Sequence, residues 1–141
     1  MSKSNREDCL TSETFFQTFA MKKANSETLD QLLLQEKEQL VCLFLWGDNC
    51  YNCNVFKQSA LTMSSDIKAL PIRWLEANVY EDEALGRRFA LHGIPTFIFF
   101  YQQKKLGKVS GWHGLAYFQE VIQTIQKKFK ITLEKELPSL I

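Results

Sequence analysis

The 141-residue chain has no excess of charge of either sign: 17 lysines and arginines stand against 16 aspartates and glutamates, for a formal net charge of +1. That balance excludes the basic field that holds a nucleic acid backbone and the acidic tail that holds a basic partner. Long hydrophobic runs are also missing. The longest, Leu40 to Trp46 and Phe97 to Tyr101, are strand-sized, well short of the ~20 residues that cross a bilayer. The polar start, Met1 to Asp8, carries positive residues with no apolar h-region behind them, so no secretory signal is read. A soluble cytoplasmic chain is expected, or a periplasmic one if a signal was trimmed. No repeat or low-complexity segment occurs.

Four cysteines at irregular spacings, with no signal before them, do not read as a disulfide framework. Only Cys50 and Cys53 make a local pair. Cys42 lies inside an apolar run and reads as a small buried hydrophobe, and Cys9 as an exposed thiol in a polar leader. Half of a zinc site has the same spacing as Cys50 and Cys53, so a metal set completed by His92 or His113 is one reading, although neither histidine has ligand spacing. A redox-active dithiol is the other.

The length suits one domain, and 45% hydrophobic residues with eleven phenylalanines suffice for one core. Residues 1–13 read as a flexible leader, 14–130 as the domain and 131–141 as a mixed tail. Phe15 to Ala20 predicts a first strand. Asn25 or Ser26 is placed to cap a helix running to about Glu38, with Leu29, Leu32 and Leu33 on its core face. Leu40 to Trp46 reads as a central strand covered on both faces. From Cys50 or Tyr51 onward, Phe56, Ala60, Met63 and Ile67 mark a buried helical stripe ending near Lys68. An extended segment follows from Ile72 to Val79, then a helix opened by Glu81, Asp82 and Glu83, with Gly93 just past its end. Thr96 to Tyr101 and Lys105 to Ser110 make a hairpin whose turn lacks an Asn-Gly pair. Leu115, Phe118, Val121 or Ile122, Ile125 and Phe129 mark a last amphipathic helix. The order β-α-β-α-β-α-β-β-α describes an α/β fold, a central mixed sheet with helices on both faces.

Trp46-Gly47-Asp48-Asn49-Cys50-Tyr51-Asn52-Cys53 therefore joins a strand to a helix. Two cysteines three residues apart lie on one face of a helical turn, near enough to close a disulfide. Cys50 falls where unpaired backbone N–H groups and the positive end of the helix dipole converge, which favours a thiolate and makes it the nucleophile. Cys53, a turn deeper, is the resolving thiol that attacks a mixed disulfide. Neither role needs a metal or an organic cofactor. A second motif is His92-Gly93-Ile94-Pro95-Thr96. The missing N–H of Pro95 falls at a strand start, an Ile-Pro bond is cis at modest cost, and the Ile94 backbone is then open to an extended peptide. A plain strand start is the alternative.

With these two motifs in register, residues 14 to 126 resemble the thioredoxin family. The family pattern is Trp-Ala-x-Trp-Cys-Gly-Pro-Cys after the central strand, then Gly-Ile-Pro-Thr, then a hairpin ending in glycine before the last helix. Here those positions hold Trp46 to Cys53, Gly93 to Thr96 and Ser110-Gly111-Trp112. The resemblance implies a thioredoxin-like fold and a thiol-disulfide oxidoreductase acting on protein disulfides or dithiols, recycled by an electron-donor reductase or other redox partner, and working as a monomer. It also implies a substrate face of Asn49, Tyr51, Val79, Ile94, Pro95, Gly111 and Trp112, with Tyr51 and Trp112 as aromatic edges and Trp46 as support beneath the loop.

The chain departs from the pattern in ways that bear on mechanism. Tyr51-Asn52 replaces the Gly-Pro that tunes the potential, and potentials of such proteins span roughly −270 to −120 mV. No histidine lies between the cysteines, and Asp48 opposes a thiolate, which favours a reductant or isomerase over a strong oxidant. The family's buried acid, six residues before the first cysteine, is Phe44 here, while the family's lysine on the next strand aligns with Glu76. Glu76 is thus a candidate proton relay beneath Cys53, with a solvent-facing Glu76 as the alternative. The competing function is a thioredoxin-like interaction or scaffold module whose cysteine pair is a regulatory switch with little turnover.

Overall fold

The computed structural model describes residues 13–131. Apart from residues 13 and 131, the expected leader with Cys9 and the expected tail with Pro138 lie outside the described residues. Helices α1 (residues 13–18), α2 (Leu29–Gln35), α3 (Tyr51–Thr62), α4 (Ser64–Lys68), α5 (Glu83–Arg88) and α6 (Leu115–Phe129) are interleaved with strands β1 (Lys22–Lys23), β2 (Val41–Trp46), β3 (Arg73–Asn78), β4 (Thr96–Tyr101) and β5 (Lys104–Ser110). The strands form one sheet in the order β1-β3-β2-β4-β5. β3 runs parallel to β1 and β2, whereas β4 is antiparallel to β2 and β5. Both edges carry exposed lysines, Lys22 and Lys23 on β1 and Lys104, Lys105 and Lys108 on β5.

β2 and β4 read as continuous apolar runs because each of their faces is covered. On one face Cys42, Phe44, Trp74, Phe97 and Phe99 meet Phe15 and Phe19, then Phe56 and Ala60 of α3, Ile67 of α4, and Phe118, Ile122 and Ile125 of α6. On the other, Val41, Leu43, Leu45, Leu75 and Ile98 meet Leu29 and Leu33 of α2 and Leu85 of α5. The mixed sheet flanked by helices is the architecture expected from the sequence.

Several elements differ from expectation. Phe15 to Ala20 is not a strand: residues 13–18 are helical and the edge strand is Lys22–Lys23, paired with Leu75 and Glu76. Phe15 and Phe19 stand one turn apart and both are buried, so packing on the aromatic layer overrides the strand preference of aromatic residues. Asn25 acts as a cap, its Oδ1 accepting from the N–H groups of Glu27 and Thr28 at 2.8 and 3.0 Å, but it closes a turn ahead of α2, which begins only at Leu29. The helix after Cys50 breaks at Met63 (φ −113°, ψ 40°) into α3 and α4. Phe129 is 40% exposed rather than part of the core.

Gly93 does not terminate α5. Leu91 N–H donates to Gly86 O and Ala90 N–H to Arg87 O, which places Ala90, not a glycine, in the left-handed position at φ 49°. The same pair of bonds closes α1 through Ala20 (φ 54°) and α6 through Lys130 (φ 53°). In the hairpin, Gln102 and Gln103 both adopt positive φ, the two-residue turn that Asn-Gly more often forms. Ala20 and Ala90 are exposed, so Ala20→Gly and Ala90→Gly remove left-handed strain without opening a cavity. Each is expected to stabilise the fold by about 0.5–1 kcal/mol, read as a higher urea midpoint at unchanged slope.

Candidate active site

Asn49, in a left-handed conformation (φ 57°), turns the chain out of β2 so that Cys50 becomes the N-cap of α3 with extended backbone (φ −99°, ψ 109°). Its sulfur fills the capping role: Cys53 N–H donates to Cys50 Sγ at 3.1 Å. The two cysteines form a disulfide with Cα atoms 5.2 Å apart. They are unequal, since Cys50 is half-buried while Cys53 is fully buried. An incoming thiol therefore reaches Cys50 first, and the N–H that now points at its sulfur would also stabilise a thiolate there.

The second motif lies against the first. Cys50 Sγ is 3.8 Å from Ile94 O, and the Ile94–Pro95 bond is cis. Gly111, at φ 85°, donates its N–H to Pro95 O at 2.7 Å, and Thr96 Oγ1 donates to Gly93 O at 2.8 Å. Cys50, Ile94, Pro95 and Gly111, far apart in sequence, are thus brought together. Cys42 is distant in kind: buried in the aromatic layer, its thiol is pushed up by desolvation, which keeps it protonated and inert.

Of the two expected aromatic edges, Tyr51 is 79% exposed. Trp112 is half-buried, its ring centroid 4.7 Å from Phe56, and serves as much to cover the core as to line the surface. Sequence reasoning missed Tyr80, which is 64% exposed. A Cβ on Gly47 would fall 2.6 Å from the Tyr80 ring and 2.8 Å from Ile94 Cδ1, so the ring rests on the bare glycine beside Ile94. Tyr80 N–H donates to Asn78 Oδ1, and Asn78 Nδ2 donates to Asp48 Oδ2, each at 3.0 Å. This chain of bonds ties Asp48 and the loop after β3 to the turn before Cys50. Nothing local marked Tyr80; the signal was the glycine at 47 where the family pattern has alanine.

Glu76 does not face solvent. It is 5% exposed and is the register partner of Phe44 across β2 and β3, on the face that α3 covers. Trp46 Nε1–H donates to Glu76 Oε1 at 2.8 Å. Burial is the largest influence on the carboxyl and pushes it up, Trp46, Lys23 and Lys57 pull it down, and Glu81 pushes it up again, for a net rise. Lys57, which no sequence argument singled out, is also buried, with Nζ 4.4 Å from the centroid of the Trp46 ring.

A carboxyl raised in the folded state stabilises the protein below its unfolded value of about 4.3, and this contribution is lost as pH climbs through the folded value. The oxidised protein is accordingly expected to lose stability as pH rises above about 4.3. Glu76→Gln, whose amide oxygen still accepts from Trp46, should flatten that segment of the profile. Urea midpoints across the range check this, and parallel profiles for the two proteins would contradict it.

Among the described residues no group of three or more His, Cys, Asp or Glu is placed to hold a metal. His113 Nε2 lies instead 2.7 Å from Ser110 O. No described helix is long and apolar enough to cross a membrane.

Comparison with known proteins adds to this geometry. The family model for thioredoxin matches residues 20–128. Over 112 residues the chain is 30% identical to the thiol:disulfide interchange protein DsbD of Haemophilus influenzae (strain PittGG), a match covering 72% of this chain and 19% of that protein, so the chain spans less than a fifth of the relative's length. Among solved structures, it resembles Fasciola hepatica thioredoxin with a TM-score of 0.64 at 19% identity, covering 74% of this chain and 98% of that one. Thioredoxin f from spinach chloroplast gives a TM-score of 0.64 at 18% identity, covering 75% and 93%. At these identities the structural likeness is one of fold.

Proposed function

The chain belongs to the thioredoxin family, and from that premise we propose that it is a protein thiol-disulfide oxidoreductase in which Cys50 is the nucleophile, Cys53 the resolving thiol and Glu76 the proton relay. The observation that carries this reading is the unequal couple, a half-buried sulfur capping a helix and bonded to a fully buried one. On this reading the working unit is residues 14–130, a span that contains the 20–128 matched by the family model. A reductant or isomerase fits better than a strong oxidant, since no histidine lies between the cysteines to hold a thiolate.

In the reductive direction Cys50 attacks a substrate disulfide, forming a mixed disulfide and releasing one substrate thiolate. Cys53 then gives its proton to Glu76 and attacks Cys50 Sγ, which releases the second thiolate and leaves the Cys50–Cys53 disulfide. Two electrons pass from the dithiol to the substrate. A protein substrate lies extended against the Ile94 backbone, with Tyr51, Pro95, Gly111 and Trp112 around it. A reductase or another dithiol partner restores the couple, and the protein acts as a monomer in the cytoplasm expected from its sequence.

Cys53→Ser is expected to accumulate a mixed disulfide at Cys50, visible by non-reducing electrophoresis and mass spectrometry, whereas Cys50→Ser should lose exchange altogether. Loss of exchange in neither variant would sink the assignment. Equilibration with glutathione is expected to give a potential nearer to about −270 mV than to about −120 mV. For the relay, Glu76→Gln should slow resolution of the mixed disulfide about 10²-fold at neutral pH, with the rate recovering at alkaline pH, where Cys53 ionises unaided. An unchanged pH–rate profile would rule the relay out.

A further inference from the structure

Tyr80 carries an exposed aromatic ring on a backbone that is held in place. Val79 N–H donates to Trp46 O at 2.9 Å, Tyr80 N–H to Asn78 Oδ1 at 3.0 Å and Glu81 N–H to Asn78 O at 3.2 Å. Asn78 is itself buried and tied to Asp48. The ring atoms nearest to Gly47 are Cδ2 and Cε2, 2.7 and 2.6 Å from where a Cβ would stand, and Ile94 Cδ1 is 2.8 Å from the same point. An alanine at 47 would push the ring away, so its seat depends on glycine. Ile94 O is in turn 3.8 Å from Cys50 Sγ. One side of the ring is thus fixed beside the backbone that faces the reactive sulfur, and the rest is bare. Among the described residues no lysine or arginine stacks on it. A ring ordered before anything binds loses little further freedom when a partner covers it.

The charge around the ring indicates what covers it. The loops that converge on Cys50, residues 47–54, 78–83, 91–96 and 110–114, contain no lysine or arginine but four carboxylates, Asp48, Glu81, Asp82 and Glu83. Asp82 is occupied by the N–H groups of Ser26 and Leu85, and Glu83 by Arg87. Asp48 and Glu81 are both exposed and both adjoin Tyr80, one through Asn78 and the other in sequence. Neither is in an ion pair among the described residues. The net charge of +1 hides this local imbalance. The face of an aromatic ring attracts a cation, and carboxylates beside it strengthen the preference and repel an acidic side chain. We propose that Tyr80 is a specificity-determining residue, and that the substrates are protein disulfides with an arginine or lysine beside the reactive cysteine, the cation lying over the Tyr80 ring within reach of Asp48 and Glu81. The proposal rests on the reading of Cys50 as the nucleophile. It adds a binding contact and leaves the exchange of electrons as described above.

Synthetic peptides, each with one internal disulfide, test this. In one an arginine stands next to the first cysteine, in a second citrulline, which keeps the shape and removes the charge, and in a third leucine. Oxidation of the reduced protein by each is followed by rapid quenching, alkylation and mass spectrometry. At low salt the arginine peptide is expected to react about tenfold faster than the citrulline peptide, through a lower half-saturating concentration and not a higher limiting rate. Tyr80→Leu should cut that ratio to about twofold, while Tyr80→Phe keeps it. Glu81→Gln should lower the ratio about twofold and weaken its dependence on salt. A loss of exchange common to both peptides cancels in the ratio. Equal rates in the wild type, or a ratio that Tyr80→Leu leaves unchanged or Tyr80→Phe abolishes, overturn the proposal and leave Cys50 standing as the nucleophile. A leucine peptide that outpaces the arginine peptide overturns it too, whereas failure of every peptide to oxidise the protein removes both readings. Should Tyr80→Leu not fold, the mixed disulfide trapped by Cys53→Ser supplies the measurement. The arginine side-chain protons of the bound peptide are expected to move upfield over the Tyr80 ring, and unshifted protons overturn the proposal.

Discussion

The placement of both sulfurs depends on the ring of Phe56. Its centroid lies 4.9 Å from those of Phe44 and Phe97, 4.7 Å from Trp112 and 5.7 Å from Phe15. Each such aromatic pair contributes about 0.5–1.5 kcal/mol beyond its buried area. Phe56 follows Cys53 by less than one turn, so anchoring its ring seats the first turn of α3 on the sheet, with Cys53 inward and Cys50 at the rim. Phe44 belongs to the same seating, its ring packed against those of Phe15, Phe56 and Phe97, so a carboxylate there would remove aromatic contacts that hold α3 down. One strand across, at Glu76, the acid finds the Trp46 N–H.

The sequence made some of this legible and hid the rest for physical reasons. β2, the cysteine pair and the Ile94–Pro95 motif were readable because their signals are local: a continuous apolar run, a spacing of one turn, a proline at a strand start. Glu76 could be singled out as a carboxylate beneath the site because two positions on paired strands could be compared. α1 was not, because Phe15, Phe16 and Phe19 satisfy a strand's residue preferences as well as a helix's spacing, and only contact with Phe44 and Phe56 decides between them. The helix ends at Ala20, Ala90 and Lys130 were hidden because a left-handed cap leaves its mark in sequence only when glycine supplies it. Tyr80 and Lys57 were hidden because their surroundings are built by Gly47, Ile94 and Trp46, residues of other elements.

Trp46 connects these layers. It closes β2, its carbonyl accepts from Val79 N–H at 2.9 Å, its indole N–H holds Glu76, and its ring face lies under Lys57. The polar groups beneath α3 are therefore organised around an apolar side chain, and among the described residues the buried charged side chains, Lys57 and Glu76, both lie against it. Exclusion of water lowers the local dielectric there and strengthens each interaction, so small changes at the indole are felt by the acid and the ammonium alike.

The lysines on the sheet margins bear on how the sheet avoids pairing edge to edge with a second copy of itself. A protein that binds extended peptides needs unpaired backbone groups, and the same groups invite self-association through strand pairing. Here β1 is two lysines long, and β5 exposes Lys104, Lys105 and Lys108, so like charges would meet if two copies approached edge to edge. The backbone beside Ile94 lies away from those margins, next to Cys50. Strand addition is thus discouraged along the sheet margins, while the cis Ile94–Pro95 peptide lies apart from them beside the sulfur.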